Sequence, residues 1–109
     1  MSVIKANLVV YQGATFEQDI QLSEGDGTPY DLTGYTAQSQ FRKHHASSNA
    51  YAFTVEHNDA GGKLTLRMTA EETNDIPPGR YHYDVEIVEG DKVLRVLQGI
   101  VTVDPNMTR

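Results

Sequence analysis

The stretch Pro77-Pro78-Gly79-Arg80-Tyr81-His82-Tyr83-Asp84-Val85-Glu86-Ile87 decides the fold of this chain. From Arg80 onward, apolar or aromatic side chains occupy every second position and polar side chains occupy the positions between them. Successive residues of a strand face opposite sides of a sheet, so this alternation predicts a strand with one buried face. β-branched and aromatic residues suit such a half-buried surface. We therefore expect a central strand that begins at the proline–glycine turn.

Other short runs share this alternation and are separated by turn residues. They cover residues 8–11, 16–22, 35–41, 51–55, 64–68 and 93–103. Turns at intervals of about 8–12 residues are typical of an immunoglobulin-like sandwich. The sequence therefore predicts an all-β fold, an immunoglobulin-like antiparallel β-sandwich of about seven strands with one short helical turn.

Two of these runs are irregular. Gln18 falls on the apolar face of its run, where a buried amide would need a hydrogen-bond partner. In the last run the apolar residues change register part-way, from Leu94 and Val96 to Val101 and Val103. Gly99 stands between the two registers and predicts a β-bulge.

The helical turn is predicted from Thr69 and Glu72, which have the spacing of a capping box. We expect helix across Glu71–Asp75, ended by Pro77. Tyr81 follows a proline–glycine turn, and two roles are open for it. Its hydroxyl group donates to the backbone upstream, as in a tyrosine corner, or its ring packs in the core.

Length and composition limit the possible classes. With 109 residues the chain is predicted to be a single domain, 1–109, with loose polar arms at 1–6 and 104–109. It contains no cysteine, which excludes disulfides and thiolate zinc sites. Nine Lys and Arg against fifteen Asp and Glu give a net charge of −6, which disfavours nucleic acid as a partner. No apolar run approaches the roughly 20 residues of a membrane helix.

Residues 1–5 lack the apolar core of a signal peptide, so we expect synthesis in the cytoplasm. His44 and His45 are the most tempting metal ligands. Adjacent residues of a strand face apart, but in a loop these two could share a metal with His57 or Asp59. Solvated loop histidines are the favoured interpretation, and no metal or cofactor is predicted.

Catalytic motifs are absent from the sequence: there is no phosphate-binding glycine loop, nucleophile elbow or zinc helix. Many acidic residues are present, but their spacing singles out no pair for hydrolysis. Asp31 and Asp84 are candidates for ion pairs with Arg80 or Arg42. The chain is therefore predicted not to be an enzyme, and a hydrolase is the third hypothesis.

Six tyrosines raise the question of carbohydrate binding, because exposed aromatic rings stack on sugars. The inward phase of most of these residues favours core packing. Those residues are Tyr35, Tyr51, Tyr81 and Tyr83. Binding of carbohydrate or a host surface is the alternative function. It requires at least two tyrosines to be exposed together on one face or loop end, and Tyr11 and Tyr30 are the freer ones.

Several short motifs follow one another in an order that resembles small virion structural proteins of tailed bacteriophages, including those of T4-like marine and cyanobacterial phages. The motifs are residues 31–37, 41–43, 64–66, 69–73, 78–86 and 99–103, and the chain ends in Pro-x-x-Thr-Arg at 105–109. The resemblance covers about Asn7 to Arg109. It implies a non-enzymatic component of the tail, baseplate or capsid that is located in the virion.

Such a component would dock on other virion proteins or on copies of itself. Sheet edges and end loops are natural contacts, because unpaired backbone groups accept another strand. The polar loop between two predicted strands provides the candidate partner contacts. They are Arg42, Lys43, His44, His45 and Asn49.

Overall fold

The computed structural model describes residues 3–24, 26–44 and 50–105. These residues form eight strands and one short helix, which confirms the predicted all-β fold. The elements are β1 (Ile4–Lys5), β2 (Leu8–Tyr11), β3 (Phe16–Gln21), β4 (Thr36–Arg42), β5 (Tyr51–Asn58), β6 (Lys63–Met68), α1 (Ala70–Asn74), β7 (Gly79–Glu89) and β8 (Lys92–Asp104).

The strands form one curled sheet with the order β1-β8-β7-β4-β5-β6-β3, and β2 also pairs with β8. Strand β5 joins the two parts of the curled sheet. Its residues Tyr51–Phe53 pair with β4, and its residues Thr54–Asn58 pair with β6. All pairings are antiparallel except those of β1 and β2, which run parallel to β8. The sheet therefore closes over its inner face as a half-barrel.

The inner face holds the core. The apolar residues of β7 are buried as predicted, at Tyr81, Tyr83, Val85 and Ile87. Phe41 is fully buried, and its ring centroid lies 4.8 Å from that of Phe53. Each such side chain contributes about 1.5–3 kcal/mol when it leaves water. The alternating pattern is thus sufficient to specify which face of the central strands is buried.

The amino-terminal segment differs from its prediction as a loose arm. Ile4 and Lys5 pair with Leu97 and Gln98, and the Ala6 N–H donates to the Gln98 carbonyl at 3.0 Å. At the other end, Asp104 is the last residue of β8. Residues 4–6 and 104 belong to the sheet because backbone pairing does not require apolar side chains.

Gln18 is not buried, so the condition under which its amide would need a buried partner does not arise. It lies exposed on β3, and its amide donates to the Asp19 carbonyl at 3.0 Å. Strand β3 pairs with β6 alone among the described strands, so it is an edge strand on which a polar residue stays in water.

The bulge of the last strand lies at Val96 and not at Gly99. Val85 pairs with Leu97 whereas Glu86 pairs with Arg95, so Val96 is the additional residue. Val96 and Leu97 are both buried, which shows that the inward phase changes between them. The change of register was visible in the sequence, but glycine was the wrong marker for its position.

The short helix and the corner tyrosine are confirmed. The Glu72 N–H donates to the Thr69 hydroxyl at 3.1 Å, and the Thr69 N–H donates to the Glu72 carboxylate at 2.8 Å. The Tyr81 hydroxyl donates to the Pro77 carbonyl at 2.5 Å. Tyr81 therefore both packs in the core and fastens the turn that precedes β7.

Candidate docking surfaces

The predicted partner contacts divide between two environments. Arg42 ends β4 half-buried and donates to the Gln40 side chain at 3.1 Å. Lys43 is exposed, and its Nζ lies 5.3 Å from the centre of the Tyr81 ring. His44 is exposed, whereas His45 and Asn49 lie outside the described residues. Of the described residues, Lys43 and His44 thus lie exposed after the end of β4, whereas Arg42 belongs to a surface of the sheet itself.

That surface is the outer face of β4, β7 and β8, where an open groove of about 800 Å³ is found. Its walls come from these three strands and from the amino-terminal segment. The lining residues are Lys5, Asn7, Gln40, Arg42, His82, Tyr83, Asp84, Glu86, Arg95, Gln98, Gly99 and Ile100. The sequence pattern placed His82 and Asp84 on the outer face but not in a concavity.

Strand register orders the groove side chains into rows. One row contains Arg42, His82 and Ile100, and the next contains Gln40, Asp84 and Gln98. A third row contains Gln38, Glu86 and Arg95, with Gln38 donating to Glu86 at 3.2 Å. Acidic residues therefore lie along β7, and cations flank them on β4 and β8.

Asp84 is the electrostatic centre of the groove. Desolvation raises the pKa of this carboxyl above 3.8, and Glu86 adds to the effect. Arg95 and Arg42 oppose the rise, and the Arg95 guanidinium lies 3.4 Å from the carboxylate. The observed ion pair thus involves Arg95, and Asp31 instead accepts from the Thr33 N–H and hydroxyl at 2.9 and 2.7 Å. A partner that donates hydrogen bonds to Asp84 would offset its desolvation.

One wall of the groove is made where the amino-terminal segment runs alongside β8. A Cβ atom at Gly99 would stand 2.0 Å from the Ala6 carbonyl oxygen, so only glycine permits this approach. The buried Tyr83 hydroxyl donates to the same carbonyl at 2.6 Å, and burial raises the pKa of Tyr83 to about 12. The Asn7 side chain accepts from the Ile100 N–H at 3.1 Å. We did not predict from the sequence that the amino-terminal segment lies against β8, and Gly99 is the residue that could have indicated it.

The amino-terminal strand also forms an exposed apolar edge. Val9 is 45% exposed and Tyr11 is 61% exposed. Val3 and Ile4 are exposed in the same segment, and among the described residues the one other large exposed hydrophobic is Val93. Exposed apolar groups concentrated at one edge are typical of contact surfaces.

A second part of the outer face, on β3, β5 and β6, also carries ion pairs within the chain. Lys63 lies 3.1 Å from Asp19, and Arg67 lies 3.2 Å from Glu56 and 3.6 Å from Glu17. The Thr65 hydroxyl donates to Asp19 at 2.8 Å, and this bond is the main cause of the lowered pKa of Asp19. The carboxylates on this part of the outer face are therefore held by cations of β6.

The two freer tyrosines, Tyr11 and Tyr30, are separated in the structure. Tyr11 pairs with Asp104 beside the first residue of β7. Tyr30 instead approaches Tyr35, its hydroxyl 3.4 Å from that of Tyr35, at the far end of this 11-residue strand. At about 3.3 Å per residue the two sites lie roughly 30 Å apart. Tyr11 and Tyr30 therefore do not form one exposed site.

The metal hypothesis gains no ligand set within the described residues. There, no group of three or more His, Cys, Asp and Glu side chains could hold an ion. His57 Nδ1 contacts Asp59 Oδ1 at 2.5 Å, and His45 lies outside the described residues. The described part of the chain also contains no helix with the length and apolar character needed to cross a membrane.

Comparisons with known proteins inform the fold. No family model matches the chain. No curated protein matches it either. Among solved structures, the crystal structure of InlP from Listeria monocytogenes is similar, with a TM-score of 0.51 and 15% sequence identity. The match covers 91% of this chain and 26% of the InlP chain, so this chain spans about a quarter of that structure. At this identity the likeness concerns the β-rich fold alone.

Proposed function

We propose that this chain is a non-enzymatic structural module of a tailed-phage virion, in the tail, the baseplate or a capsid accessory. It docks on other virion proteins after synthesis in the host cytoplasm. Support comes from the ordered motifs between residues 31 and 109 that resemble small phage virion proteins.

The module is an immunoglobulin-like sandwich in this proposal. The hydrogen bond from Tyr81 to Pro77 is the tyrosine corner of such domains. The position of β7 between β8 and β4, with β5, β6 and β3 curling over it, supports the same assignment. The domain spans residues 1–109.

The groove on the outer face of β4, β7 and β8 is the observation that carries the docking proposal. It is concave, it includes Arg42 from the predicted contact set, and its carboxylate Asp84 is partly desolvated. A protein surface that enters the groove would find hydrogen-bonding amides between charges of both signs. Such surfaces favour specific recognition of another protein over indiscriminate adhesion.

The first test is whether the protein belongs to the particle. Mass spectrometry of purified virions should detect it at a defined copy number. Negative-stain labelling with a specific antibody should locate it at a repeated position. Absence from the particle would overturn the proposal.

The second test uses two matched variants, one in the groove and one on β6 away from it. Arg95→Gln and Lys63→Gln each remove one surface ion pair with an aspartate, Asp84 or Asp19. We expect Arg95→Gln to lower incorporation into particles, because it alters the groove. Lys63→Gln should leave incorporation unchanged. Equal incorporation of both variants would exclude the groove as the docking site.

A further inference from the structure

The sheet has two edges that differ in chemistry. At one edge β3 carries Glu17 and Asp19, whose carboxylates bond to Arg67 and Lys63 of β6. Charged side chains on an edge discourage the addition of another strand. The other edge, β2, has the sequence Leu8–Tyr11 and carries no charge. It is therefore the edge that is chemically open to pairing.

The backbone of this edge also has groups directed outward. The Ala6 N–H donates to the Gln98 carbonyl at 3.0 Å, and the Gln12 N–H donates to the Asp104 carbonyl at 2.9 Å. In a parallel pair, alternate residues direct their backbone groups toward the neighbouring strand. Even-numbered residues therefore face β8, and the N–H and C=O of Val9 face the open side.

We propose that two copies of this chain associate through this edge, with their β2 strands antiparallel across a twofold axis beside Val9. An interface of this symmetry uses the same patch on both copies. The Val9 N–H of each copy donates to the Val9 carbonyl of the other, and Tyr11 of each copy lies opposite Asn7 of the other. The two half-barrels then share one continuous sheet.

Side-chain chemistry supports a second copy as the occupant. Val9 and Tyr11 lie on the same outer side of β2, 45% and 61% exposed, and antiparallel pairing sets Val9 beside the Val9 of the other copy and Tyr11 beside its Asn7. The same pairing directs Lys5 of each copy toward the side of the other copy that holds Asp104, so opposite charges approach twice. An acidic chain of net charge −6 needs such local complementarity to associate with itself.

The interface is small. One added strand pair falls at or below the roughly 1,200 Å² of total buried area seen at the low end of stable complexes. We therefore expect a weak dimer, populated at concentrations from about 10 µM to about 1 mM. The inference goes beyond the virion proposal and does not depend on it.

Sedimentation of the full chain across that range tests the association. The wild type should shift from monomer to dimer, and Val9→Lys should stay monomeric because it places a charge on the edge. The control Val93→Lys makes the same change at an exposed valine outside β2 and should still dimerise. A wild type that is monomeric throughout, or a Val9→Lys variant that still dimerises, would overturn the proposal.

Disulfide trapping tests the register. The chain has no cysteine, so Val9→Cys introduces a single thiol. Hydrogen-bonded antiparallel partners have Cα atoms about 5.5 Å apart, within the range that a disulfide spans. We expect Val9→Cys to oxidise to a covalent dimer at least tenfold faster than the control Val93→Cys, with both thermal melts close to wild type. Equal rates would refute the twofold pairing, as would binding of another protein to this edge with no self-association.

Discussion

Gly99 is the residue at which the amino-terminal segment and β8 come closest. The atoms that a Cβ at this position would meet are the backbone oxygen and carbon of Ala6, at 2.0 and 2.8 Å, and then the Asn7 side-chain oxygen at 3.2 Å. A flexible neighbour can rotate away, but a strand backbone must move with everything attached to it. One glycine therefore sets the distance between β8 and the strand that lines the groove.

Gly99→Ala should lower the free energy of unfolding by about 1–3 kcal/mol, the usual range for overpacking. Amide exchange should accelerate at Ala6 and Leu8, because their strand is displaced. Urea denaturation measures the first effect, and hydrogen exchange followed by NMR measures the second. The control Gly61→Ala meets only the Asn58 side chain, at 3.3 Å, and should cost less. Equal losses of stability in the two variants would contradict the expected clash with the Ala6 backbone.

Tyr81 gives a second prediction for a single residue. Tyr81→Phe keeps the ring in the core and removes only the hydrogen bond to the Pro77 carbonyl. We expect a loss of about 1 kcal/mol in a chemical denaturation series. Tyr11→Phe removes a hydroxyl from a residue that is 61% exposed, and the change should stay within about 0.5 kcal/mol. A Tyr81→Phe variant as stable as wild type would exclude the corner as a source of stability.

The helix α1 is an element too short to be stable alone. Its five residues are held by the capping box at Thr69 and by the buried Thr73. The Thr73 hydroxyl donates to the Ala14 carbonyl at 2.9 Å and accepts from the Gly13 N–H at 3.1 Å. These bonds join the helix to the turn between β2 and β3, so capping also supports the edge strand.

Thr69→Ala should therefore destabilise the protein by about 1 kcal/mol, the typical cost of losing an N-cap. Thr69→Ser keeps the hydroxyl acceptor and should be close to wild type. Thermal unfolding of the two variants separates loss of the cap from any general effect of substitution. If both variants lost the same stability, the capping bond would not be the cause.

The limits of strand β8 could be predicted from the sequence, but its internal geometry could not. Its two apolar registers were visible at Leu94 and Val101, and the structure joins them with a bulge at Val96. A bulge is decided by which partner residues are available on β7, and sequence periodicity contains no information about the partner. For the same reason the parallel pairing of β1 and β2 with β8 was not foreseen.

Across the whole molecule, two carboxylates on the outer surface of the sheet have pKa values shifted in opposite directions. On the groove face, burial raises the pKa of Asp84 above 3.8. On β3, hydrogen bonds from Thr65 and Lys63 lower the pKa of Asp19 below 3.8. The folded state thus disfavours one charged carboxylate and favours the other, and the two act on stability with opposite signs.

Asp84→Asn should be more stable than wild type at neutral pH, because the charged, partly desolvated carboxylate is gone. Its advantage should shrink as pH falls through the folded pKa of Asp84 and vanish below 3.8, where the wild-type carboxyl is protonated in both states. Denaturation at a series of pH values measures the difference.

The control Asp19→Asn should be less stable than wild type at neutral pH. Its deficit should persist down to 3.8 and disappear only as pH falls through the lower folded pKa of Asp19. Parallel pH profiles for the two variants would contradict the assignment of opposite shifts.

The residue pattern alone was enough for the all-β class, the buried face of β7 and the capped helix, and it left two roles open for Tyr81. Each of these depends on residues close together in the chain, where a period of two or a spacing of three is set by backbone geometry. The groove, the close approach of Ala6 to Gly99 and the exposed edge at Val9 could be recognised only from the tertiary structure. They arise where strands distant in the chain pair, as β1 and β2 do with β8 beside Ala6 and Gly99, and local periodicity does not encode which strands pair.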